Sequence, residues 1–178
     1  MSLVYQPAED SYLIESTIKK YAKNKSVLDI CTGSGILAIK ALESGAKSVT
    51  AVDINQDALD SIKEKRIKKI KSNIFSKVNK KFDLIICNPP YLPENKQEDK
   101  ESRLATTGGK KGDEFILKLL KQAKKYLENN GIILLLVSSL TPMKRINNLL
   151  EKNKLKSKVI DSKNFFFEKL EVLEIRDN

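Results

Sequence analysis

Apolar residues along this chain fall into short runs. Between the runs they recur every three or four positions. The runs Ser26–Cys31, Ser48–Ile54, Phe82–Cys87 and Ile132–Ser138 have strand length and little alternation, which predicts strands covered on both faces. Ile67–Lys71 reads as a shorter strand, and Lys156–Ser162 and Phe166–Ile175 as the last two. Helical spacing predicts a first helix over 8–22, with Ile14, Ile18 and Tyr21 on one stripe and Glu9 and Asp10 in its first turn. Further helices are predicted over Gly35–Glu43, Gln56–Lys65, Gly112–Asn129 (stopped by Asn130-Gly131) and Pro142–Asn153. Alternating strands and helices predict an α/β fold: a Rossmann-like, doubly wound, mostly parallel sheet with helices on both faces. There is no internal repeat and no linker, and 178 residues suit one domain, 1–178. Residues 89–111 form a long charged loop, a length that usually marks function.

Composition narrows the chemistry. The chain has no histidine, which excludes His-based triads and His-based metal sites. Two cysteines, Cys31 and Cys87, are too few for a zinc cage or a disulfide framework, so no metal is expected and a reducing, cytoplasmic compartment is. The longest apolar run, Ile132–Val137, falls far short of the roughly 18 residues a membrane span needs. The opening Met1–Gln6 has no basic stretch leading into an apolar one, so no secretory signal and no membrane partner are expected. The net charge is +10, but only four of 33 basic residues are arginine: Arg66, Arg103, Arg145 and Arg176. Nucleic-acid readers lean on arginine for bidentate contacts. A lysine-rich solvated surface is the plainer reading, with attraction to an anionic partner such as RNA left open.

Two constellations carry chemistry. In the first, Val27-Leu28-Asp29-Ile30-Cys31 runs into Thr32-Gly33-Ser34-Gly35 and then a helix. Gly33 and Gly35 allow a tight turn and a close ligand approach, and the helix-end N–H groups point toward that ligand. Such a turn occurs in many doubly wound sheets. Asp53 sharpens it, because it ends the second strand 18 residues beyond Gly35, where a carboxylate can accept ribose hydroxyls. The pair predicts an adenosine-containing ligand. Asp29 beside the turn suits a cationic amino-acid tail better than a diphosphate, although a turn or helix-capping aspartate explains it as well. In the second, Phe82–Cys87 ends in Asn88-Pro89-Pro90-Tyr91, at the strand end where ligands sit. Two prolines remove two N–H donors and stiffen the turn, leaving carbonyls free to accept. Asn88 offers a side-chain oxygen on that mount, and Tyr91 a flat face for a planar group. A stiff turn leaving a strand is the bland alternative.

Asn-Pro-Pro-Tyr after a fourth strand, with the glycine turn, resembles the S-adenosylmethionine-dependent methyltransferases that modify planar nitrogens. Val4-Tyr5-Gln6-Pro7-Ala8-Glu9-Asp10-Ser11 and Thr107-Gly108-Gly109-Lys110-Lys111-Gly112-Asp113-Glu114 are similar to the HemK-like glutamine methyltransferases, in their archaeal and eukaryotic branch. The bacterial members' N-terminal helical domain has no counterpart in these residues, which fits that branch. The resemblance implies the class I methyltransferase fold: a seven-stranded sheet with an antiparallel C-terminal strand. It implies S-adenosyl-L-methionine as cofactor, held by Ser11, Asp29, Thr32, Gly33, Gly35, Asp53, Ile54, Asn73 and Asn88. Asn88 and the Pro89 carbonyl would accept the two N–H bonds of the acceptor amide, with Pro90 stiffening the turn and Tyr91 stacking beside it. The implied substrate is the glutamine of the Gly-Gly-Gln loop of a peptide-chain release factor. The implied partner is a small zinc-binding activator subunit, paired along the short strand at Ile67 and Ile70. Family members often carry glycine at Cys31 and an acid at Asn73. Asn73 can still accept from an adenine amino group, and Cys31 and Cys87 read as buried inert thiols. Three alternatives remain. One is an adenine or guanine methyltransferase acting on a flipped or single-stranded base. Another is a non-catalytic scaffold subunit, which would usually have lost Asp53 or the Asn-Pro-Pro residues. The last is a nicotinamide dehydrogenase, which leaves Asn88–Tyr91 unexplained.

Overall fold

A computed structural model describes residues 4–95, 103 and 106–177 of the chain. The elements run α1 (Glu9–Ile18), β1 (Ser26–Ile30), α2 (Ile36–Glu43), β2 (Ser48–Asp53), α3 (Gln56–Ser61), β3 (Ile67–Lys71) and β4 (Phe82–Cys87). There follow β5 (Leu92–Pro93), β6 (Thr107–Gly109), α4 (Glu114–Ala123), β7 (Leu127–Ser138), α5 (Met143–Lys152), β8 (Leu155–Asn164) and β9 (Lys169–Asp177). Seven strands form one sheet in the order β3-β2-β1-β4-β7-β9-β8. β3, β2, β1, β4 and β7 are mutually parallel, and β9 runs antiparallel to both β7 and β8.

The period of two along each strand sorts the core into two layers. Leu84 and Ile86 of β4 and Leu134 and Leu136 of β7 pack with Ile14 and Ile18 of α1 and Ala38 and Ala41 of α2. Their neighbours Ile85, Cys87, Ile133 and Leu135 face the other way, against Ile116, Leu119 and Leu120 of α4 and Ile146 and Leu150 of α5. The apolar runs therefore serve two faces at once, as their continuity predicts. The chain reverses direction across the sheet between β1 and β4, and that crevice is where ligands bind in such folds.

Several element boundaries differ from the sequence-based expectation. The helix predicted over 112–129 ends at Ala123, tightens into a 3₁₀ turn over Lys124–Tyr126, and gives way to β7 at Leu127. Tyr126 stacks on Phe75 at 4.3 Å, and Leu127 pairs opposite Phe82, so tertiary contacts draw this stretch into the sheet. Asn130, at φ +63°, is thus a strand irregularity rather than a helix stop. The helix expected over 56–65 ends at Ser61, because Ile62 turns extended and drops into the core beneath Gly35. The first helix ends at Ile18, not residue 22. Phe166 and Phe167, expected at the start of the last strand, lie instead in the β8–β9 turn, because β8 extends to Asn164 and β9 begins at Lys169. The long loop contains the short parallel pair β5–β6, while residues 1–3 and its charged centre, 96–102 and 104–105, lie outside the described residues.

Candidate active site

The carboxyl ends of β1, β2 and β4 open into a cavity of about 370 Å³, within the range of ligand pockets. Ser11, Thr32, Gly33, Asp53, Ile54, Asn73, Asn88, Pro89, Pro90 and Tyr91 all line it. Residues scattered over the first half of the sequence are thus gathered at one mouth. Asp29 and Gly35 do not line it.

Asp29 is fully buried beneath the glycine turn. Its Oδ2 accepts from the Thr32 hydroxyl at 2.6 Å and from the Ala38 N–H at 3.1 Å. Ala38 is the third residue of α2, whose N-cap is Gly35 at φ +82°, a residue without a capping side chain. Asp29 supplies from the preceding strand the acceptor that an N-cap side chain normally provides. Its Oδ1 has no partner, and burial pushes its carboxyl up to about 7. Gly35 is required by packing: a Cβ there would lie 2.6 Å from Ile62 Cγ1. Gly33 differs. At φ +52°, the nearest atom to its missing Cβ is the Tyr5 carbonyl oxygen at 3.8 Å, so the space belongs to the cavity.

Asp53 ends β2 with both oxygens accepting backbone bonds, Oδ2 from Gly33 N–H and Oδ1 from Asn55 N–H, each at 2.9 Å. It pins the glycine turn to β2 and keeps a lone pair on each oxygen for a ligand. Asn73 Oδ1 accepts from Lys118 Nζ at 3.4 Å. Cys31 stands at φ +60°, a conformation glycine adopts with least strain, and it lines the cavity. Cys87 is completely buried beside it, and burial first, then the neighbouring Cys31 thiol, pushes its thiol up.

Asn88 is anchored at one end only. Its Nδ2 donates to Asp10 Oδ2 at 3.0 Å and to Ser11 Oγ at 3.3 Å. Asp10, itself buried, also accepts from the Tyr5 hydroxyl at 2.9 Å and from the Ser11 N–H at 2.6 Å. A reversed amide would set the Asn88 oxygen against that carboxylate, so the orientation is enforced. The Asn88 Oδ1 is buried and has no partner. A buried acceptor without a donor is costly, and at a cavity wall it marks where a ligand's N–H belongs. Tyr91 is half-buried, and burial together with the charges of Asp10 and Glu168 pushes its phenol well above the usual range, so it stays a neutral ring with an O–H. The same causes, burial first, act on Tyr5.

The loop over 107–112 holds the Asn-Pro-Pro-Tyr turn by close backbone approach. A Cβ on Gly108 would lie 2.7 Å from the Pro90 oxygen, and one on Gly112 would lie 2.5 Å from the Tyr91 oxygen. The Glu94 N–H donates to the Gly109 oxygen at 3.0 Å. Tyr5, Asp10, Ser72 and Phe115 also line the cavity, and sequence reading assigned none of them to it. Tyr5 and Asp10 sit in the same opening motif as Ser11, which was their only available signal. For Ser72 and Phe115 nothing in the local pattern gave one.

The methyltransferase small domain family matches residues 9–167 of the chain. A Methanocaldococcus jannaschii protein assigned as a protein N5-glutamine methyltransferase is 39% identical over 156 residues, covering 83% of this chain and 79% of that one. A release factor glutamine methyltransferase of Aquifex aeolicus is 32% identical over 168 residues, covering 84% of this chain and 59% of that one. Among solved structures, the E. cuniculi Mtq2–Trm112 complex, responsible for methylation of the eRF1 translation termination factor, has a chain that superposes with a TM-score of 0.80. That match is 22% identical and covers 98% of both chains, which shows the shared fold. Matched by that family over nearly its whole described length, the chain belongs to the methyltransferase small domain family.

Proposed function

We propose that this chain transfers a methyl group from S-adenosylmethionine to the side-chain amide nitrogen of the glutamine in the Gly-Gly-Gln loop of a peptide-chain release factor. The observation that carries the reading is the Asn88 carboxamide, pinned through Nδ2 and left with a buried, unpartnered Oδ1 at the cavity wall. The names of the Methanocaldococcus and Aquifex relatives support the acceptor.

The cavity suits the cofactor. Asp53, which retains lone pairs, would hold the ribose hydroxyls, the gap at Gly33 would admit the tail, and Ile54, Asn73 and Phe115 of the cavity wall would receive the adenine. When bound, the cofactor supplies a methyl group already activated by its sulfonium charge. The chain's task is placement. Asn88 Oδ1 takes one N–H of the acceptor amide and the Pro89 carbonyl the other. Both N–H bonds would then be held by the chain, leaving the nitrogen's face open to the methyl group that the cofactor would supply. Tyr91 stacks on the planar amide. Positioning of this kind supplies roughly 7–11 kcal/mol of barrier reduction. The methylated amide then sheds its extra proton to solvent, a step that needs no strong base and fits a chain without histidine.

A small zinc-binding activator subunit pairs along β3, the sheet edge whose Ile70 is only half-buried. Among the described residues no helix is long and apolar enough to cross a membrane, and the proposed work belongs in the cytoplasm with translation. The test is mass spectrometry of release factor, RNA and DNA after incubation with labelled cofactor, with and without the partner subunit. A single methyl group on the Gly-Gly-Gln glutamine, absent with Asn88→Ala, is expected. Label confined to nucleic acid would overturn the reading.

A further inference from the structure

Phe165, Phe166 and Phe167 occupy the turn between β8 and β9, and the three behave differently. Phe165 points inward onto the core layer beside α1 and α2, under the Lys163 ammonium at 5.3 Å, and its N–H donates to the Glu168 oxygen at 2.7 Å to close the turn. Phe166 and Phe167 point outward, 93% and 85% exposed, packed edge to face on each other at 4.6 Å. A paired aromatic surface this open ordinarily marks a contact site.

Its position says what it serves. The turn is tied to the end of β7: Ser138 Oγ donates to Glu168 at 2.7 Å, Ser139 N–H to the Lys169 oxygen at 2.8 Å, and Lys169 N–H to Ser139 Oγ at 3.0 Å. That is the edge of the sheet on which Asn88 and Tyr91 stand, and the Glu168 charge acts on the Tyr5 and Tyr91 phenols. Leu140, also exposed, follows in the same β7 corner. The aromatic tip therefore stands beside the mouth of the acceptor site, on a rigid mount.

Its charge says what it does not serve. The chain is strongly basic, but here Lys163 pairs with Glu9, Lys169 pairs with Glu171 at 2.6 Å, and Glu168 adds a further carboxylate. A phosphate backbone or an anionic membrane needs unpaired cations around such rings. Lys163 and Lys169, the two lysines that flank these rings among the described residues, are both paired, so a protein's apolar pocket is the tip's complement. Aromatic anchors of this type, central and apolar with a balanced rim, are the usual hot spots of protein interfaces.

We propose that Phe166 and Phe167 dock the folded acceptor protein, inserting into an apolar pocket beside the loop that presents the methylated side chain. This rests on the function proposed above and deepens it: the tip selects a folded protein over an isolated peptide.

The test compares the wild type with Phe166→Ser/Phe167→Ser on intact release factor and on a short synthetic peptide containing Gly-Gly-Gln. Both rings lie outside the core, so the variant keeps its fold, checked by an unchanged Tm and cofactor Kd. The expected result is a 10- to 100-fold rise in KM for the intact factor with kcat and the peptide rate unchanged. Unchanged kinetics on the intact factor overturn the docking role alone. An equal loss on peptide and protein overturns it too, by making the tip part of the pocket. Loss of RNA or vesicle retention, or of self-association by sedimentation, without a change in KM assigns the rings to another occupant and also overturns it. A wild type that methylates neither factor nor peptide defeats the parent reading, and this one with it.

Discussion

Asn88 can perform its proposed role only because its nitrogen end is occupied. Asp10 gathers donors from three residues, Tyr5, Ser11 and Asn88, and thereby decides which end of the carboxamide faces the cavity. Asp10→Ala frees that amide to rotate. The expected outcome is a fall in kcat of about 10- to 100-fold, the scale of a misplaced reacting group. Asn88→Ala costs at least as much, and the double variant is no worse than Asn88→Ala alone, because the two residues act as one unit. Additive losses in a four-point kinetic cycle would show that Asp10 acts elsewhere. Asp29 gives a second prediction. Burial raises its carboxyl to about 7, so between pH 4 and 7 the folded chain holds a proton that the unfolded chain has released. Its contribution is fully present at low pH and is lost as pH rises toward 7. Asp29→Asn removes that slope, so urea unfolding should show the variant gaining on the wild type with rising pH, on the order of 4 kcal/mol by neutrality. A pH-independent difference would mean the carboxyl is ionised throughout.

The loop entering α4 and the turn leaving β4 form one backbone sandwich. Gly112, at φ +87°, lies where a Cβ would meet the Tyr91 oxygen at 2.5 Å, and backbone gives way only by moving. Gly112→Ala therefore displaces Tyr91 and the acceptor clamp together, with an expected loss of kcat beyond tenfold. Gly45→Ala is the control, since it has a similar backbone conformation, φ +84°, but only the Lys23 side chain nearby at 3.7 Å. It should lower stability by about 1 kcal/mol through strain and leave kcat alone. Comparable kinetics in the two variants would dismiss the sandwich. The same close approach explains why a glycine-rich stretch far along the chain accompanies Asn-Pro-Pro-Tyr: each segment needs the other's backbone.

At the scale of the molecule, the mostly parallel sheet places three strand ends at one crevice, and the antiparallel β9 brings the β8–β9 turn back beside it. The four buried strand runs were legible in the sequence because a strand covered on both faces must be apolar at nearly every position, a rule that needs no knowledge of neighbours. The lining of the cavity was legible too, since the glycine turn, Asp53 and Asn-Pro-Pro-Tyr each stand at the end of such a run. Other features depended on partners distant in sequence. Leu127 joins β7 because Phe75 and Phe82 receive its neighbourhood, against a local helical pattern. Asp29 reads as a site residue but serves as the remote cap of a helix whose own cap is glycine. The direction of the Asn88 amide is set by a carboxylate 78 positions away. The sequence by itself determined which segments would be buried and which functional groups the chain carries, because burial and backbone stiffness follow from residue type and spacing. Only the tertiary structure decided which lone pair is left free and which aromatic rings stand in solvent at the mouth, because both depend on groups that meet through the fold.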